Sequence, residues 1–302
     1  MEVMVNVDRY KLLVALLSVV SNIILLVIKL IVGFAMGSIS VISEALHSGV
    51  DVVAAIVATV GVRQSAEPAD KTHSFGHEKF ENLAGFIQAI LIFFAAVWIV
   101  YVAVHKLIRP APLEGLGSGV LIMLVSSVVN VVVGLLLLRG AKKTNSVALK
   151  ADAWHCLTDV YTSAGVMIGL IVVWSGKLWA PGVDLSWVDP LAAILVAILI
   201  VKAAWDLTME SVHDLLDVSL PQAEEDEIKS LIRAKYPSVI DLHKFRGRKS
   251  GNKRFVEFHI WVDPGMSVES SHALDHSIAA EIKQKFSGAD VMVHIEPHRS
   301  QT

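Results

Sequence analysis

The sequence predicts a membrane protein in two parts. An all-α six-helix transmembrane bundle occupies residues 1–209, and a small α+β domain follows over 210–302. Three observations predict this class. The 302-residue chain is 54% hydrophobic with a positive mean hydropathy, too apolar for an ordinary soluble chain of its size. Six apolar runs fall near 12–36, 38–62, 83–108, 117–138, 147–175 and 187–208, each long enough to cross a hydrocarbon core. The residues after them alternate apolar with polar and carry most of the acidic groups, as a water-facing domain does.

Each element has its own warrant. The first run is longer than a signal-peptide core and has no small-residue cleavage site after it, so it reads as a retained span. Lysine and arginine collect before span one (Arg9, Lys11), after span two (Arg63, Lys71, Lys79) and after span four (Arg139, Lys142, Lys143, Lys150). That bias places both termini and these loops in the cytoplasm. Lys29, near the outer end of span one, is expected to snorkel to the interface. The single cysteine, Cys156, excludes a disulfide framework or thiolate cluster within one chain and reads as packing. A net charge of −3 gives no sign of a nucleic-acid partner. After Pro221, "QAEEDEIKSLIRAKY" reads as an amphipathic helix with an acidic first turn. Strands follow near 239–247 and 253–263, then the helix "SVESSHALDHSIAAEIKQKF" and a strand near 289–296, in the order αββαβ.

The chemistry lies in spans two and five. In "SEALHSGVD", Glu44, His47 and Asp51 are spaced i, i+3, i+7, which stacks them on one helix face. "ADAWHCLTDV" repeats the pattern with Asp152, His155 and Asp159. Ionised groups in hydrocarbon are costly and persist facing a partner or a cavity. The two HxxxD pairs offer two imidazoles and two carboxylates, a set that suits tetrahedral Zn²⁺ and neutralises a dication. His47 lies about 13 Å from the outer start of its span and His155 about 12 Å from the inner start of its own, at about 1.5 Å per residue. Both therefore fall near mid-bilayer. Glu44 then lies outward of His47 and Asp152 inward of His155. Each is a candidate to capture the ion on its way or to orient the nearby imidazole. In the loop after span two, Asp70, His73 and His77 form a DxxHxxxH set with three metal-ligand groups. Asn22, Gln88 and Asn130 lie within spans one, three and four and read as interhelical hydrogen bonding.

With six spans, HxxxD in spans two and five and "PADKTHSFGHEKFENLAG" at 68–85, the chain resembles the cation diffusion facilitators over nearly its whole length. The resemblance implies a homodimeric metal/proton antiporter with a ferredoxin-like cytoplasmic domain. Paired HxxxD motifs resemble the zinc-selective members, whereas many broad-specificity bacterial members carry Asp at the position of His47. It further implies a metal site at Asp70, His73 and His77, and a charge pair between Lys79 and Asp217 that ties the two parts together. It also implies a two-metal site at a dimer interface, matched here by His243, His259, His272 and His294, with Glu296 where Asp is usual. His276 and His298 have no match.

The expected function is export of Zn²⁺ from the cytoplasm in exchange for protons. The short loops favour a bacterial inner membrane. Cd²⁺, Fe²⁺ and Co²⁺ remain alternative substrates, because affinity order alone does not set selectivity. An intramembrane zinc-dependent hydrolase with Glu44 as base is the competing class. The absence of HExxH and the symmetric four-ligand set argue against it, so no enzyme activity is expected. A metal sensor is a third reading, and no output motif supports it.

Overall fold

The computed structural model describes residues 2–36, 39–108, 118–179, 187–251, 253–286 and 288–298. Side chains at 2–8, 36, 39–44, 46–47, 118–123, 165–179 and 189 lie outside the description. The chain divides into two units, Met1–Val212 and His213–Thr302.

The first unit holds six long helices: α1 (Glu2–Met36), α2 (Ile39–Ser65), α3 (Lys79–Ile108), α4 (Ser118–Thr144), α5 (Val147–Trp179) and α6 (Val188–Leu215). Among the described residues four of them are long and apolar enough to cross a membrane, within Arg9–Ala35, Lys79–Ile108, Leu124–Thr144 and Pro190–Leu215. The sequence led to an expectation of six. The other two, α2 and α5, are described in their side chains only in part, at 45, 48–65 and 147–164, the stretches that hold Asp51 and the Lys150, Asp152, Asp159 series.

Side-chain polarity in α1 is inverted relative to a soluble helix. Lys11, Ala15, Ser18, Asn22, Leu25 and Lys29 form one buried stripe at alternating spacings of four and three. Leu13, Val20, Ile24, Val27, Ile31 and Phe34 are exposed. Small and polar groups therefore meet other helices while bulky apolar groups face outward, as membrane bundles require. The expectation that Lys29 snorkels is overturned. It is 4% exposed, and its Nζ donates to Ser48 Oγ on α2 at 2.7 Å. A buried hydroxyl one helix away is within its reach, so the ammonium turns inward rather than toward the interface. Helices α2 and α3 approach closely at Gly61, where a Cβ would lie 2.3 Å from Ala84 Cβ. Helix α5 packs against α1, α2, α3 and α4 and so sits among four neighbours.

The second unit comprises α7 (Gln222–Lys235), β1 (Asp241–Ser250), β2 (Lys253–Val262), α8 (Val268–Lys285) and β3 (Asp290–Pro297). The sheet order is β1-β2-β3, with β1 antiparallel and β3 parallel to β2. Parallel pairing needs a crossover, which α8 supplies. Its start is fixed by Ser267, whose hydroxyl accepts from Ser270 N. Val256, Phe258, Ile260 and Val262 alternate onto the buried face of β2, joined by Ile228, Ile232, Ile278 and Ile282 from the helices. The opposite face of the sheet is therefore left to the polar residues between them.

Candidate metal sites

The buried cluster lies between α2, α4 and α5. Asp51 is 6% exposed, His155 is 5% exposed and Asp159 is half-buried. His155 Nε2 lies 3.1 Å from Asp51 Oδ1. One ligand atom from each of Asp51, His155 and Asp159 falls within 4.8 Å of the others. Bonds of about 2.1 Å in a tetrahedron put ligand atoms about 3.4 Å apart, so the Asp51–His155 pair, hydrogen-bonded at 3.1 Å, need part only slightly to form one edge of a zinc site. Asn130 Nδ2 donates to Asp159 Oδ2 at 3.3 Å. The sequence reading took Asn130 as helix glue, and the structure gives that amide a specific task, holding one of these carboxylates. His47 occupies α2 one turn before Asp51, but its side chain, like that of Glu44, lies outside the described residues. Asp152, one turn before His155, is fully buried and is not one of this ligand group.

The loop cluster is built by a turn. Asp70 Oδ1 accepts from Thr72 Oγ1 at 2.7 Å, from Thr72 N at 2.7 Å and from His73 N at 2.6 Å. The Thr72 hydroxyl and the His73 amide hold its carboxyl down at about 2. Since the Thr72 hydroxyl donates to Asp70, the His73 Nδ1–H donates to Thr72 Oγ1, at 3.1 Å. His77 Nδ1 lies 3.1 Å from the Pro68 carbonyl and must be the donor there. Both rings thereby have Nδ1 engaged and present Nε2 as the nitrogen left for a metal. His77 Nε2 faces Asp70 Oδ2 at 3.6 Å, and Phe80 stacks on the His77 ring. Gly76, at φ 96°, lets the chain turn tightly enough to bring the two imidazoles to 4.5 Å between centroids. Thr72 and Pro68 were not singled out from the sequence, because their roles depend on the turn's path.

The third cluster lies on the polar face of the sheet. Strand register sets His243 beside His259 and His259 beside His294, one row across three strands. Glu296 Oε1 accepts from His259 Nδ1 at 2.8 Å, and Oε2 from His243 Nε2 at 3.2 Å and Trp261 Nε1 at 3.1 Å. His294 Nε2 lies 3.7 Å from Oε1. Donation from His259, then from Trp261, with Lys244 and His243 adding to it, holds the Glu296 carboxyl down at about 2. The longer arm of Glu296 reaches both imidazoles. Within one chain His272 does not join this cluster. It lies on α8 with Asp275 and His276, the two histidine rings 4.4 Å apart. Helix α8 packs its Ile278–Ile282 face on the core, which turns His272 and His276 outward. Trp261 was legible as sharing the outward face with His259, though its bond to Glu296 was not. Lys79 opens α3 in the first unit, and Asp217, at φ 57°, accepts from Arg248 Nη1 at 2.7 Å within the second.

Residues 15–216 match the family model described as the cation efflux transmembrane domain, and residues 220–298 match the cation efflux protein cytoplasmic domain. The chain is 33% identical over 261 residues to the uncharacterized transporter sll1263 of Synechocystis sp., covering 86% of this chain and 82% of that one. It is 31% identical over 280 residues to the cation-efflux pump FieF of Shewanella oneidensis, covering 93% and 92% respectively. A solved metal-bound C-terminal domain of the CzcD transporter from Thermotoga maritima is 32% identical over 27% of this chain and 94% of its own, with a TM-score of 0.25.

Proposed function

The chain belongs to the cation diffusion facilitator family, a family of cation efflux transporters rather than enzymes, and from that premise we propose that it exports Zn²⁺ in exchange for protons. The observation that carries this reading is the buried Asp51–His155–Asp159 cluster between α2 and α5. His47, one turn from Asp51, completes a His₂Asp₂ set for the substrate ion. Two carboxylates balance its charge in a low-dielectric setting. Two imidazoles favour Zn²⁺ over hard cations, with Fe²⁺, Cd²⁺ and Co²⁺ as the competing substrates.

Loading requires an unprotonated imidazole and ionised carboxylates, so the ion displaces protons as it binds. In this structure His155 Nε2–H is held by Asp51. The arriving ion takes the place of that proton between the same two atoms. Alternating access of the six-span bundle then carries metal outward and protons inward.

The same reading assigns Asp70, His73 and His77 to a cytoplasmic metal site. It assigns His243, His259, His294 and Glu296 to a site in a ferredoxin-like regulatory domain that dimerises, with His272 contributed across the dimer. Lys79 and Asp217 form the charge pair linking the two parts, Asp217 sharing itself with Arg248. The protein sits in the inner membrane with both termini in the cytoplasm.

Proteoliposomes test the reading. Zinc flux is expected when a pH gradient is imposed, and Asp51→Ala is expected to abolish it. Normal flux from that variant would remove the central site from the mechanism. Competition among Zn²⁺, Cd²⁺, Fe²⁺ and Co²⁺ in the same vesicles ranks the substrates.

A further inference from the structure

Asp152 is 0% exposed, and neither carboxylate oxygen has a hydrogen-bond partner among the described residues. Among the described residues no ion pair reaches it either. The ionisable groups that face it are Asp51 from α2 and His155 and Cys156 from its own helix. Helix α1 sets the uncharged, buried Ser18 hydroxyl beside both Asp152 and Cys156, as the donor aimed toward this carboxylate, without the distance and angle of an ordinary hydrogen bond. Asn22, one turn further along α1, leaves its Nδ2 unpartnered and buried, and so does His155 with its Nδ1. Buried polar atoms are nearly always satisfied, so such a group of orphans needs a partner that the side chains beside it do not supply.

An enclosed carboxylate with a single hydroxyl beside it calls for a further proton, water or cation. An unpaired, fully buried carboxylate takes up a proton rather than carry a charge there. Its proximity to the Asp51–His155–Asp159 cluster makes that proton responsive to the cargo. A dication arriving nearby favours the ionised carboxylate. Ser18 can then turn its hydroxyl to donate to the new anion, and the amide of Asn22 lies one turn away on the same helix.

We propose that Asp152 is a proton-carrying site distinct from the metal ligands, protonated when the central site is empty and ionised when it is loaded. The step balances as Asp152–COOH giving Asp152–COO⁻ and one proton, which leaves to cytoplasmic water as the dication enters. On the return leg Asp152 recovers a proton before the empty carrier turns back. Asp152 therefore neither holds the ion nor orients a ligand, the two roles its sequence position offered. This rests on the proposed exchange but adds a site to it.

The test counts protons released per Zn²⁺ bound by the full-length protein in detergent, using titration calorimetry in buffers of different ionisation enthalpy. Asp152→Asn is expected to keep zinc stoichiometry and to release about one proton fewer per ion at the central site. In an Asp51→Ala background, where that site is gone, Asp152→Asn should change nothing. An unchanged proton count in the otherwise wild-type protein overturns the proposal. Loss of one bound zinc also overturns it, because Asp152 would then be a ligand. Ser18→Ala is the second variant and decides if Asp152→Asn does not fold. It is expected to move the pH at which that proton is lost upward, and an unmoved midpoint overturns the proposal. Flux through wild-type proteoliposomes is scored separately. Its failure would defeat the exchange reading, whereas normal flux with an unchanged proton count would defeat only this site.

Discussion

Glu296 gathers two imidazoles and an indole on one carboxylate, and its carboxyl is held down at about 2 from an ordinary 4.5. A depressed acid contributes stability that is fully present above its ordinary value and fades as pH falls through the folded one. Glu296→Gln should therefore lower the melting temperature by a constant amount above about pH 4.5, with the difference closing toward pH 2. Thermal unfolding of both proteins across that range checks it, and a gap that persists in acid would show that charge is not the cause. Between pH 7 and 5 Glu296 therefore stays ionised. Asn130 acts on a different carboxylate. Asn130→Ala deprives Asp159 of its amide donor and should weaken zinc binding at the central site about 10–100-fold, the usual effect of losing a group that orients a ligand. Zinc titration against Asp51→Ala as the site-free reference measures it. The spacing of Asp51, His155 and Asp159 could be read from the sequence because helix periodicity fixes a face. The task of Asn130 could not, because it depends on where α4 lies beside α5.

At the scale of elements, α1 shows both the reach and the limit of pattern. Its apolar length marked it as a span, yet the same pattern misassigned Lys29, because hydropathy does not say which side of a helix meets a neighbour. Lys11 is similar. It entered the reading as a loop charge, and the structure buries it against Glu81 of α3, Nζ to Oε2 at 3.0 Å. Both side chains are almost fully enclosed. Removing one partner of a buried pair strands the other charge, at a cost of about 3–5 kcal/mol. Lys11→Met alone should therefore destabilise the protein strongly, and Lys11→Met with Glu81→Met should recover most of the loss. Thermal melts in detergent separate the two, and a double variant no better than the single would mean the pair is not acting as a unit. In the second unit, period-two alternation located the buried face of β2 from Val256 to Val262. Register then did what alternation alone cannot, setting His243, His259 and His294 in a single row.

On the scale of the whole molecule, four groups of side chains able to hold a metal ion are spread over two units. The central one is proposed to move the ion and the sheet cluster to sense it. A sensing ligand shifts an equilibrium only by its differential affinity for the two states. His259→Ala with His294→Ala should therefore leave zinc flux competent while shifting the zinc concentration at which flux is half-maximal. Flux against zinc concentration in proteoliposomes reads this, and superimposable curves would leave the sheet cluster without a regulatory role. The fate of His272 was the least legible from the sequence, since a helix face says where a side chain points but not which chain it meets.

Helix α5 carries both His155 and Asp159 and is wedged among four other helices. A rod gripped on so many sides does not swing alone, so the proposed uncovering of the cargo would carry its neighbours along as one block. Fraying or local melting of that rod would spill the ion before it reached the far side.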